Sequence, residues 1–138
     1  MNCSAATFTP SATSAVALRV ARTHVAAWSK KDWDTARSLL APDVHVTATH
    51  TGPYPPPTDL TGAEDYMKGL TAFAEPIVAG SVRELSGVGD DRNALLTLDL
   101  QAAFDPAGPA VPAPCARLYL VEDGKIKTEQ VVFYVGQG

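Results

Sequence analysis

Apolar residues recur at three- and four-residue steps from about 14 to 30, where Ala17, Val20, Ala21, His24, Ala27 and Trp28 fall on one side and Arg19, Arg22, Ser29 and Lys30 on the other. That spacing predicts an amphipathic helix with His24 on its buried stripe. A core histidine satisfied by a carbonyl or a water and a functional imidazole both fit this placement, and the pattern leaves the two open. A polar turn, Ser29-Lys30-Lys31-Asp32, separates Trp28 from Trp33. A short second helix then closes with Leu39 and Leu40, and Pro42-Asp43 stops it. An alternating strand follows over 44–50. The segment TGPYPPPTDL holds four prolines and a glycine, which predicts a loop outside any ladder. Thr61 and Glu64 have capping-box spacing for a third helix, which carries Tyr66, Met67, Leu70, Phe73 and Ile77 on one face and ends at 76–80.

The rest reads as sheet, over 81–89, 94–104, 114–122 and 125–135. It is punctuated by Gly89-Asp90-Asp91, by the proline-rich DPAGPAVPAP and by Asp123-Gly124, a strong hairpin signal. Three helices before or between strands, then four strands in series, predict one α+β domain over 14–138 with an antiparallel meander. Alternation sorts the faces: Leu96, Leu98 and Leu100 oppose Thr97, Asp99 and Gln101, and Ala116, Leu118 and Leu120 oppose Cys115, Arg117 and Tyr119. Burying a leucine is worth about 1.5 to 3 kcal/mol and burying an unpaired charge costs more, so the leucine faces are expected inside. Asp99 and Arg117 then fall together outside as a surface or interface ion pair. Val46 and Ala48 mark the inner side of the first strand, which carries His50 inward. On the last strand both alternating sets look buriable, and periodicity does not choose between them.

A helix ending in Trp28, the Asp32-Trp33-Asp34 start of a short helix, the run Leu39-Leu40-Ala41-Pro42-Asp43 and an alternating strand together resemble the SnoaL-like and ketosteroid isomerase-like branch of the nuclear transport factor 2 superfamily. The resemblance implies a cone-shaped, strongly curved, mostly antiparallel sheet wrapped around three helices, with an internal pocket for a small, largely apolar molecule. It implies isomerase, cyclase or epoxide hydrolase chemistry on a polyketide-, steroid- or terpene-like substrate without a cofactor, the alternative being a protein that binds such a molecule without turnover. It also places the inner side of the last strand on Glu129, Val131 and Phe133.

Carried over by position, the isomerases' hydrogen-bonding tyrosine on the first helix falls at His24, their general base at Ala48, and the acid of SnoaL-like cyclases on the last strand at Val131. With those two acids replaced by apolar residues, the expected catalytic groups are Glu129, His24 and His50, since a carboxylate or imidazole in an apolar cavity is a suitable proton carrier. Trp28, Val46, Ala48, Tyr54, Tyr66 and Leu70 are expected to line the pocket, with Phe73, Leu98, Leu118, Val131 and Phe133 beside them. Tyr54, held among prolines, would gate its mouth. Limonene epoxide hydrolases share this fold and keep an Arg/Asp pair in the pocket, which gives Asp99 and Arg117 a second, catalytic reading. Related folds pair through the convex sheet face, which implies a homodimer held by Tyr119, Cys115, Thr97 and the Asp99/Arg117 pair.

Composition adds exclusions. The 138 residues are 46% hydrophobic, enough for one core, and carry a net charge of -4 with no long basic run, which argues against nucleic acid and an acidic membrane as partners. No apolar run approaches the roughly 20 residues of a span, and residues 1–13 read as a mobile tail. Cys3 and Cys115 form neither a metal spacing nor a disulfide framework, which suggests a reduced, cytoplasmic setting and no metal site. No nucleotide, serine-hydrolase or zincin motif is present.

Overall fold

A computed structural model describes residues 15–50 and 58–133. Helix α1 (Val16–Ser29) buries Ala17, Ala21, His24, Ala27 and Trp28 as its spacing predicts, together with Val25, while Val20 is half-buried. Its first turn has no side-chain cap. Instead the chain between two later strands receives its amides: Val16 N–H donates to Asp91 Oδ1 (3.1 Å) and Ala17 N–H to the Asp90 carbonyl (3.0 Å). Lys31, at φ 61°, turns the chain into the six-residue α2 (Trp33–Ser38), whose cap Asp32 accepts from Thr35 N–H at 3.3 Å.

Strand β1 (Leu40–His50) begins earlier than expected and runs through Pro42. The ladder tolerates this because its pairing with β8 shifts register between Leu40 and His45. Part of the proline segment is also strand: β2 (Thr58–Thr61) pairs antiparallel with β1, opposite Ala48 to His45. Pro55, Pro56 and Pro57 precede those residues and remove no amide from them. Because Thr61 is strand, the expected capping box does not form. Gly62 caps α3 (Ala63–Ala74) at φ 97° without a side-chain bond, and Glu64 pairs with Arg37 instead.

The remaining strands are β3 (Arg83–Gly89), β4 (Asn93–Asp99), β5 (Gln101–Ala102), β6 (Val111–Pro112), β7 (Cys115–Glu122) and β8 (Lys125–Phe133). The single strand expected over 94–104 is thus two, and β5 pairs with β6 in a separate small sheet. Asp123 (φ 53°) and Gly124 (φ 74°) form the tight hairpin turn joining β7 to β8. The main sheet has six strands in the order β2-β1-β8-β7-β4-β3. All its pairs are antiparallel except β1 with β8. The fold is therefore α+β with a mixed, mostly antiparallel sheet, and α1 and α3 cover one face of it.

Leu96, Leu98 and Leu100 lie on the covered face as expected, fully buried. The assignment of β7 is reversed: Cys115, Arg117, Tyr119 and Val121 point inward, while Leu118 is 43% exposed on the open face. Arg117 is stable inside because a carboxylate meets it there. The expected Asp99/Arg117 pair does not exist, and Asp99 pairs with Arg83 at 3.3 Å. On β8 both Ile126 and the set Glu129, Val131 and Phe133 are buried, because a register irregularity opposite Leu120 and Val121 switches the face. Residues 1–13 and Cys3 lie outside the described residues, and Cys115 is a free, buried cysteine.

Candidate functional site

A pocket of about 580 Å³ opens between α3, β1, β2 and β8, a volume in the range that holds a drug-sized ligand. Its walls are mainly apolar: Val46, Leu70, Phe73, Val131 and Phe133 face it. Three polar side chains, Tyr66, Arg117 and Glu129, converge within this lining. They come from different elements. Tyr66 lies in the first turns of α3, Arg117 on β7 and Glu129 on β8, where Tyr119 stands opposite Glu129 and Arg117 one pleat along the same inner face.

Arg117 Nη1 donates to Glu129 Oε2 at 2.6 Å, with the two side chains 4% and 0% exposed, and the Tyr66 hydroxyl donates to Oε1. Isolated, either charge would be very costly to bury. Together they form a neutral, bonded unit. The Arg117 guanidinium also sits over the rings of Trp28 (4.9 Å) and Phe73 (5.3 Å), whose faces complement a cation. Burial opposes its charge, but the acidic groups around it outweigh burial and raise its pKa, Glu129 being the one that is charged at neutral pH, so it stays protonated. Burial first, and the nearby carboxylate second, hold Tyr66 and Tyr119 well above the usual phenol range, so both remain hydroxyls at neutral pH.

His24 stands behind this group. Its ring meets Tyr66 edge-on with centroids 5.8 Å apart, it is fully buried, and neither ring nitrogen has a hydrogen-bond partner among the described residues. Burial, set against a smaller opposing effect of Glu129, lowers its pKa to about 4, so the imidazole is neutral at pH 7. Because the folded value lies below the ordinary 6.5, the unfolded chain gains a proton between pH 6.5 and 4 that the folded chain does not. Stability from this group is complete above pH 6.5 and is lost as pH falls through 4, by about 3 kcal/mol in all. His24→Leu is therefore expected to flatten the fall in urea midpoint between pH 7 and pH 4.5, so that the native chain loses ground against the variant as the pH drops. A parallel pair of curves would show that His24 titrates normally.

Of the residues expected from sequence, Glu129, Val46, Ala48, Tyr66, Leu70, Phe73, Val131 and Phe133 line the pocket. Trp28 and Leu98 are buried but are not among its lining, and Trp28 supports Arg117 instead. Leu118 faces away on the open side of the sheet, a correction that follows from the reversed face of β7. Tyr54 and the side chain of His50 lie outside the described residues. Sequence reasoning put Arg117 in the pocket only in its second reading, and there with Asp99 as its partner, and it missed Tyr66 as the partner of the carboxylate. The available signal was Glu129 itself, since a carboxylate on an inner strand face needs a cation on the strand beside it. No group of three or more potential metal ligands occurs among the described residues.

Comparison with known proteins agrees with this architecture. A crystal structure of a protein from Kribbella flavida DSM 17836 is 28% identical, with a TM-score of 0.72 over 86% of each chain. A protein with a ketosteroid isomerase-like fold from Catenulispora acidiphila DSM 44928, in complex with trimethylamine, is 15% identical with a TM-score of 0.69, covering 84% of this chain and 85% of that one. An LEH-like epoxide hydrolase from M. tuberculosis is 18% identical with a TM-score of 0.67, covering 87% and 84%. No curated protein matches the chain. The SnoaL-like domain family matches residues 21–129, most of the chain, and the protein belongs to that family.

Proposed function

We propose that the pocket receives a small, largely apolar polyketide-, steroid- or terpene-like molecule bearing one oxygen function, and that Glu129 moves a proton on it without a cofactor. The observation that carries this reading is a fully buried carboxylate, bonded to Arg117 and Tyr66, in the wall of a mainly apolar pocket. In an isomerisation or cyclisation, Glu129 takes a proton from the carbon beside a carbonyl and returns it to another atom, while Tyr66 donates to the developing oxyanion. In epoxide opening, Glu129 takes a proton from water, the hydroxide adds to a ring carbon, and the ring oxygen takes the Tyr66 proton, which Glu129 restores. His24, expected from the isomerase pattern to offer that donor, is not in the pocket lining, and Tyr66 takes its place.

A second reading, binding without turnover, is favoured by one observation. Both oxygens of Glu129 already accept a hydrogen bond, so a substrate must compete with Tyr66 and Arg117 for them. The test offers the purified chain a β,γ-unsaturated ketone, followed by its conjugated absorbance, and a terpene epoxide, followed by diol formation. Turnover of either supports the catalytic reading. Saturable binding of both with no product supports the second reading.

No helix among the described residues is long and apolar enough to cross a membrane, and we place the protein in the cytoplasm with its Cys115 thiol free. We further propose a homodimer, through a different set of residues from those expected. Tyr119, Cys115 and Arg117 are buried, and the open face instead presents Leu118 (43% exposed) in register with Leu95 and Val88, with Val132 nearby. Leu118→Glu is expected to halve the mass seen by light scattering while leaving the pocket intact. A native chain that is already monomeric at micromolar concentration overturns the dimer.

A further inference from the structure

Gly69 stands inside α3, where glycine disfavours the helix relative to alanine, and it lines the pocket together with Leu60 of β2. A Cβ at this position would stand 2.6 Å from Leu60 Cδ1, closer than carbon atoms approach. The backbone of β2 is not free to relieve such a contact. Asp59, Leu60 and Thr61 are paired with Thr47, Val46 and His45, and Gly62 N–H donates to the Val44 carbonyl at 2.7 Å. The isobutyl group of Leu60 would have to swing, and one side of it is the pocket. A glycine that costs helix stability thus stands where α3 packs against β2 beside the cavity.

We propose that the contact between Gly69 and Leu60 sets the width of the pocket between α3 and β2, and that Gly69 is a specificity-determining residue admitting a broad, ring-bearing apolar body rather than only a narrow chain. This deepens the reading of the pocket as an apolar-ligand site and rests on it.

The experiment measures binding of the fluorescent three-ring amine N-phenyl-1-naphthylamine, and its displacement by the narrow 1-decanol, in native, Gly69→Ala, Leu60→Ala and doubly substituted chains. Gly69→Ala is expected to weaken dye binding by about tenfold while decanol binding stays within about twofold, since a misplaced methyl group in an apolar pocket has an effect of that order. Its melting temperature is expected to be no lower than native. Leu60→Ala in the same chain is expected to restore dye binding. Unchanged dye affinity in Gly69→Ala, equal loss of both ligands, or no restoration in the double variant overturns the proposal alone. A native chain that takes up neither ligand removes the apolar-ligand reading and this proposal with it.

Discussion

Arg117→Met is expected to lower the stability of the protein by roughly 3 to 5 kcal/mol, because the substitution leaves a carboxylate buried without its cation. Glu129 is fully buried, and Arg117 Nη1 is its charged partner at 2.6 Å. The Tyr66 hydroxyl remains as a donor but carries no charge. The companion experiment is the double variant Arg117→Met with Glu129→Leu, which removes both charges and fills the space with apolar atoms. It is expected to recover most of the loss, since well-packed apolar groups replace buried ion pairs at little or no cost. Urea denaturation of the native, single and double variants measures the coupling directly. A single variant within about 1 kcal/mol of native would mean that the carboxylate is neutral or hydrated in solution.

The other large effect is on turnover. Glu129→Gln is expected to reduce it by about 10² to 10⁴ fold with little change in ligand affinity, the loss that follows removal of a proton carrier. The same change strands the Arg117 charge, so a fold-preserving control is needed. Glu129→Asp retains the charge and the pairing but withdraws the carboxylate by about one bond length, and a misplacement of that order costs about 10² fold in rate. Tyr66→Phe removes the hydroxyl donor while leaving the aromatic wall. If Glu129→Asp and Glu129→Gln, both folded, turn over substrate at the native rate, the proton is carried elsewhere and the pocket's carboxylate only holds the ligand.

The helices and the inner faces of β1 and β4 were legible from spacing alone, because one side of each is apolar and the other polar. Leu96 and Leu98 against Thr97 and Asp99 leave little choice. Strand β7 was not legible by that rule. Its two faces are Cys115, Arg117, Tyr119 and Val121 against Ala116, Leu118 and Leu120, and the cheaper solution on local grounds puts the arginine outside. The decisive partner, Glu129, lies on another strand, so the arrangement is a property of the pair and not of either segment. Strand β2 was hidden by the prolines before it, since composition averaged over 51–60 masks four residues that can pair. The polar group at the pocket was therefore half legible. Glu129 could be placed on the inner side through family resemblance, whereas its bonds to Tyr66 and Arg117 needed the register of three elements.

The parallel contact between β1 and β8 also bears on how the protein folds. Val46 of the first strand lies beside Glu129 of the last, so one wall of the cavity joins segments far apart along the chain. Such pairing must close a long loop before any contact repays it, and chains rich in distant contacts fold slowly. During synthesis, β1 and β2 leave the ribosome well before their neighbour β8 exists, with an unpaired β1 edge open to solvent or to other chains. A nascent chain arrested after β7 would have both tyrosines and Arg117 but no carboxylate to receive them. Substitutions that weaken β8 should accordingly show first as poor soluble yield in cells, before any loss is detectable in the protein that does reach its native state.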